Sequence, residues 1–236
     1  MRPIALMAAN FLRQRRWPVL LLFGWILLTA GLAGDFGRGR PSEQDVLFHA
    51  QQQSIYICIF SAFLAADALQ SERKSRRILM VLAKAVSRGD YLLAVLAGTG
   101  VLAAGYALLS ALCSIWLGAH AMLPSGGVWE LLPLVIAGAI ISASVAIFLS
   151  TFLNPYFATA CTLAIFFAPI LIHAQRHAWW VWLPGFPMMA QFLRFSFRPD
   201  WTANWVTILT ALLESALFWA LAAAIFNRKD IAIPIE

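Results

Sequence analysis

Charge is what this chain has least of. Asp, Glu, Lys and Arg make up 12% of its 236 residues, while 61% are hydrophobic. A soluble globular domain carries about 25% charge. With a mean hydropathy of +0.78 and apolar runs near the ~20 residues that cross a bilayer, the chain falls in the membrane class, as one domain. Cysteine is nearly absent too. Cys58, Cys113 and Cys161 each lie inside an apolar run and none forms a C-x-x-C pair, so neither a disulfide framework nor a zinc site is indicated. They are expected to be small core residues. His120, His173 and His177 are scattered, which points to no metal. No G-x-x-x-x-G-K-[ST] occurs, so the chain has no P-loop. Serines lack a nearby His–Asp partner and no carboxylate pair shares a segment, so no catalytic set emerges.

What charge there is has a pattern. The net charge is +6, but the basic residues sit at the ends of apolar runs, which fits anionic lipid rather than nucleic acid. Six spans are expected: 17–33, 48–69, 91–117, 131–153, 156–172 and 203–226. The shortest would be about 25 Å long, slightly under a hydrocarbon core of about 30 Å. With both termini inside, all but Arg38, Arg40, Arg176, Arg194 and Arg198 of the 17 basic residues fall in cytoplasmic segments, the bias expected for that orientation. Asn154–Pro155 would turn the chain between spans 4 and 5. The start resembles a signal peptide in placing charge before an apolar run. Trp17–Ala33 nevertheless lacks a small-residue cleavage site, and Asp35 follows it, so a retained first span is expected.

Two further segments are neither span nor simple loop. Residues 1–16 set Ile4, Met7, Ala8 and Phe11 at helical spacing, the pattern of a helix lying flat on the inner membrane surface. Residues 177–201 carry Trp179, Trp180, Trp182 and Trp201, interrupted by Pro184 and Pro187. Tryptophan belongs at the membrane–water boundary, so this outer segment is expected either as short re-entrant helices before span 6 or as a plain loop with an aromatic belt.

The densest charge lies in "SERKSRRILMVLAKAVSRGDYLL", residues 71–93. As a helix over 72–86 it would gather Ile78, Leu82, Ala85 and Val86 on one side, with Arg73, Arg76, Arg77 and Lys84 as positive edges. "Ser87-Arg88-Gly89-Asp90" has the [ST]-x-x-[DE] capping-box form, in which Ser87 accepts from the Asp90 backbone N–H. Asp90 also favours the positive end of the helix that follows. The pattern is helix, sharp turn, new helix. Such an amphipathic helix either lies on lipid or docks into a groove on a partner.

This stretch resembles the segment between spans 2 and 3 of the ABC-2-type permeases, the membrane subunits of ABC exporters. The resemblance rests on Asp67 and Glu72 leaving span 2, on Arg77–Ala83, on Ala85-Val86-Ser87-Arg88 and on Asp90-Tyr91-Leu92-Leu93. "AAAIFNRKDI", residues 222–231, is similar to the family's usual ending. Ala85 stands where proline is common, and Val95 where a lysine often opens span 3. The resemblance implies an all-α integral membrane permease with six transmembrane helices, N-in/C-in, in a bacterial cytoplasmic (inner) membrane. It implies that residues 71–88 form a cytoplasmic coupling helix docking on a separate ATPase subunit, which would hold ATP and Mg, since this chain holds no cofactor. The coupling residues would be Glu72, Arg73, Arg76, Arg77, Ile78, Leu82, Ser87, Arg88 and Asp90. Hydrolysis would move that helix and tilt span 3 through the Ser87–Asp90 corner. Six spans are half a pathway, so a second permease copy or a homologous permease is implied.

Polar residues inside the spans are the remaining candidates. Glu214, near the middle of span 6, would cost at least about 2.5 kcal/mol facing lipid. It is expected to line the pathway, or else to make a structural contact with another span. Asp67 is expected to hydrate or to pair with a nearby Arg or Lys. His49, Gln51, Gln52 and Gln53 either line an outward-facing cavity or sit in a loop before the span begins. Two rival functions remain: an intramembrane lipid-modifying enzyme using Glu214, Asp67 or His173, and a non-transporting membrane anchor of a larger complex.

Overall fold

The computed structural model describes residues 2–35, 41–74, 87–171, 183–197 and 201–228. All regular structure among them is helical: α1 (Arg2–Gln14), α2 (Arg16–Asp35), α3 (Glu43–Lys74), α4 (Arg88–His120), α5 (Gly126–Ser150), α6 (Pro155–Leu171), α7 (Phe186–Leu193) and α8 (Trp201–Arg228). Five of these, α2, α3, α4, α5 and α8, are long and apolar enough to cross a membrane. The chain is a multi-pass membrane protein. The sixth apolar helix, α6, has 17 residues, about 25 Å at 1.5 Å per residue.

Local chemistry sets where the helices begin. Ser42 and Asp45 form a reciprocal capping box: Ser42 Oγ accepts from Asp45 N, and Asp45 Oδ2 accepts from Ser42 N at 2.9 Å. The box starts α3 at Glu43, ahead of the Phe48 expected from hydropathy alone, and so puts His49 and the three glutamines inside the helix. At α6, Asn154 Oδ1 accepts from Phe157 N at 2.9 Å with Pro155 as the first helical residue, where its missing N–H costs nothing. α5 stops at Ser150 with Thr151 as its C-cap, short of the Leu153 expected from hydropathy. At its other end α5 starts at Gly126, ahead of Leu131. Pro133 lies seven residues into α5 and only Glu130 is charged in that first stretch, so the helix extends into what hydropathy assigns to a loop.

α5 is the centre of the bundle, with 72% of its membrane-length window buried, against 17% for α2 and 22% for α8. Its contact with α3 is built from small residues. Ala137, Gly138, Ser142 and Ala146 of α5 meet Cys58, Ala62 and Ala66 of α3, and Ser142 Oγ donates to the Cys58 carbonyl at 2.7 Å. In lipid, where apolar surface gains nothing by leaving its neighbours, close backbone approach and interhelical hydrogen bonds hold helices together. α3, α5 and α8 run one way; α2, α4 and α6 run the other. This follows from Tyr106–Gln53 with Tyr91–Ala68 for α4 and α3, Gln53–Thr29 with Arg15–Asp67 for α2 and α3, and Asn204–Glu130 with Phe218–Phe148 for α8 and α5. α6 turns back on α5 after residues 151–154. The outward faces of α2 and α8 expose Leu21, Leu28, Leu213 and Leu217, the inverse of a water-soluble surface.

Two observations bear on the expected interfacial and coupling helices. Residues 72–74 continue α3 rather than opening a separate coupling helix; residues 75–86, with Arg76, Arg77, Ile78 and Leu82, lie outside the described residues. The apolar stripe of α1 is turned toward protein. Ala8 and Phe11 are buried, the latter with Tyr91, Leu92 and Val95 of α4, and both approach Gly98, while Leu6 is exposed. A Cβ at Gly98 would fall 2.6 Å from Phe11 Cδ1 and 3.3 Å from the Ala8 carbonyl oxygen. Gly98→Val is therefore expected to unseat α1 at a cost of about 1–3 kcal/mol, seen as a lower melting temperature in detergent and new protease cleavage before residue 17. At Gly100 the nearest atom to such a Cβ is 3.6 Å away, so Gly100→Ala should change neither readout.

Candidate functional site

Polar and charged side chains gather at three levels of the bundle. At one end lies a corner built on Ser87. It has extended backbone (φ −68°, ψ 151°) and its side chain accepts from Asp90 N at 3.0 Å, so the [ST]-x-x-[DE] motif caps α4 as its spacing predicts. Arg88 donates to the Phe226 carbonyl oxygen at the last turn of α8 and stacks over the Phe226 ring, 5.5 Å to its centroid. A cation there also complements the negative end of the helix dipole. Trp219 Nε1 donates to the Gly89 carbonyl oxygen at 3.3 Å. The first turn of α4 is thus clasped to the end of α8 by three contacts. On the same end, Arg15, at the break between α1 and α2, pairs with Asp67 of α3 at 2.5 Å and stacks on Phe11. Of the expected coupling residues, Ser87, Arg88 and Asp90 meet here. Glu72 and Arg73 are placed only by their backbone in α3.

In the interior, Tyr106 donates to Gln53 Oε1 at 2.5 Å, Gln53 Nε2 donates to Thr29 Oγ1 at 2.9 Å, and Thr29 Oγ1 donates to carbonyls of its own helix. This directional chain joins α4, α3 and α2, and both Tyr106 and Gln53 are fully buried. Gln53 is therefore a bridge inside the protein, not a cavity-lining residue. Gln52 is half-buried and donates to Tyr56 at 2.8 Å, and Gln51 donates to the Leu193 carbonyl oxygen. Glu214, on α8, accepts from Gly185 N at 2.9 Å. A carboxylate at midspan thereby caps the start of α7. Gly185 is obligatory there: its φ is +74°, and a Cβ would fall 2.5 Å from Phe166. α7 lies alongside its neighbours rather than beyond their ends. Met188, Met189 and Phe192 are buried, and Phe192 reaches Gly138 near the centre of α5.

The third level holds residues that sequence reasoning passed over. Glu130 of α5, 3% exposed, accepts from Asn204 Nδ2 at the start of α8, and Gln191 of α7 donates to Asn204 Oδ1 at 2.5 Å. The signal was weak because Glu130 directly precedes an apolar run and Pro133, where a loop is the ordinary expectation. His49 is also buried at this end, and among the described residues its Nε2 has no hydrogen-bond partner. Among the described residues, no group of three or more His, Cys, Asp or Glu side chains is placed to hold a metal ion. His173, His177 and the tryptophans at 179, 180 and 182 lie outside those residues. Compared with known proteins, the chain matches no family model and no curated protein.

Removing the Tyr106 hydroxyl leaves Gln53 Oε1 buried without its donor, and removing Gln53 leaves the buried Tyr106 hydroxyl without its acceptor, while Thr29 keeps its bonds within α2. Tyr106→Phe and Gln53→Leu are each expected to lower stability, while the double variant loses less than their sum. The coupling should be about 0.5–2 kcal/mol, measured as a double-mutant cycle of unfolding in detergent micelles. Strict additivity would show that the bridge contributes nothing net.

Proposed function

We propose that the chain is the permease subunit of an ABC-2-type exporter, lying in a bacterial cytoplasmic (inner) membrane with six spans and both termini inside. It forms half of a translocation pathway with a second copy or a homologous permease. A separate nucleotide-binding subunit binds and hydrolyses ATP. On this reading α6 is the fifth span, α7 is the re-entrant outer segment, and residues 75–86 supply the coupling helix that leads to the corner at Ser87.

The observation that carries the proposal is that corner. A basic, amphipathic stretch ends at a capped helix start whose first turn is held by Arg88 and Trp219 against α8. A displacement of that stretch is passed to packed helices rather than absorbed by a slack loop. An apolar stripe flanked by arginines suits a groove with an acidic margin on a partner protein. The rival intramembrane enzyme would need acid–base groups that meet, and here Asp67 pairs with Arg15 at one end while Glu214 caps Gly185 at midspan. That separation favours the permease.

Gentle purification of the tagged chain is expected to recover an ATP-hydrolysing subunit. The double variant Arg76→Glu, Arg77→Glu should abolish that association and the coupled hydrolysis while leaving the permease assembled in the membrane. Binding and hydrolysis unchanged by the charge reversal would sink the coupling role.

A further inference from the structure

α8 is clasped at three heights to elements that lie far apart. At one end Arg88 and Gly89 of the α4 corner hold Phe226 and Trp219. At midspan Glu214 holds the start of α7 through Gly185 N. At the far end Asn204 joins Gln191 of α7 to Glu130 of α5. Asn204 and Phe226 are 22 residues apart on one helix, about 33 Å.

The build of α8 suits it to act as one body. Residues 201–228 contain neither glycine nor proline, the usual sites of helix kinks, whereas α4 carries Gly89, Gly98, Gly100, Gly105 and Gly118, and α5 carries Gly138 and Pro133. α3 is also free of both, but it is packed into the core, with 61% of its window buried against 22% for α8. A peripheral helix free of glycine and proline and tied at both ends shifts as a unit more readily than one enclosed on all sides, even though α8 packs on α5 through Phe218 and Asn204. α7 is a short element whose polar ties run largely to α8.

We infer that α8 is the rod that links the Ser87–Asp90 corner to the outer segment α7, with Arg88 and Trp219 as the inner clasp and Glu214 and Asn204 as the outer one. Movement of the corner shifts α8 and, with it, both ends of α7. Glu214 thereby acts as a structural grip on α7, not as a lining residue. The linkage itself rests on these contacts; only its use in export rests on the permease reading.

The test is hydrogen exchange followed by mass spectrometry on the full chain in nanodiscs of phosphatidylethanolamine and phosphatidylglycerol, without nucleotide or partner. Trp219→Phe removes one N–H, and Arg88→Ala removes the second contact and the ring stacking. Each should speed exchange in peptides covering residues 185–193 about tenfold, with α3 and α5 peptides unchanged and Arg88→Lys showing a smaller effect. Energetic coupling is reciprocal, so Asn204→Ala and Glu214→Ala should speed exchange at residues 88–92. Faster exchange confined to the altered end in both directions would overturn the rod. A rise spread evenly over every helix would overturn it too, since that is general loosening. Because no ATPase is present, failure here bears on the linkage alone, and failure to recover an ATPase leaves the linkage standing.

Discussion

The close approach of α3 and α5 is the contact on which the rest of the bundle depends. Two helices lined with alanine, serine, glycine and cysteine bring their backbones together, and Ser142 anchors the pair through the Cys58 carbonyl. With no hydrophobic effect to press helices together inside lipid, such contacts must supply the packing. The other helices are positioned against this pair, apart from α1, which rests on α4 at Gly98. α4 joins α3 through Tyr106 and Gln53, and α8 meets α5 through Phe218 against Phe148 and Asn204 against Glu130. α7 fits its Phe192 into the space left by Gly138.

Polar groups in this setting serve as joints. A lone carboxylate or amide in hydrocarbon is costly. Buried hydroxyls such as Ser54, Thr99 and Ser215 bond within their own helices, and the longer amide and carboxylate side chains reach across to other elements. Thr29, Gln53 and Tyr106 do so across three helices, and Gln191, Asn204 and Glu130 across another three. Glu214 does so by taking a backbone N–H of a segment distant in sequence. Joints of this kind are directional and few, and they fix how helices sit relative to one another, while the apolar outer faces of α2 and α8 are left for lipid.

Helix starts were legible where a short motif carries its own physics. The four residues Ser87–Asp90 have the capping-box pattern, and Ser87 Oγ accepts the Asp90 N–H as that pattern requires. Ser42–Asp45 has the same spacing and was overlooked, because hydropathy placed the start of the span later. Glu130 was hidden for a related reason: a charge and a proline near the end of an apolar run look like a loop unless a partner such as Asn204 is known. Arg15 as the partner of Asp67 was beyond reach, since 52 residues separate them.

The chain by itself determined that this is an all-helical membrane protein and roughly where its apolar segments lie. It also determined that the basic stretch after α3 ends at a capped corner. Those properties are set by composition, by runs of about twenty residues and by contacts within one turn of helix. Only the tertiary structure decided that Glu214 caps α7, that Gln53 is an interior bridge, that the stripe of α1 rests on Gly98, and that Arg88 and Trp219 tie the corner to α8. Each of these pairs residues far apart in the chain, and such pairings are set by how six apolar rods pack, which no local pattern encodes.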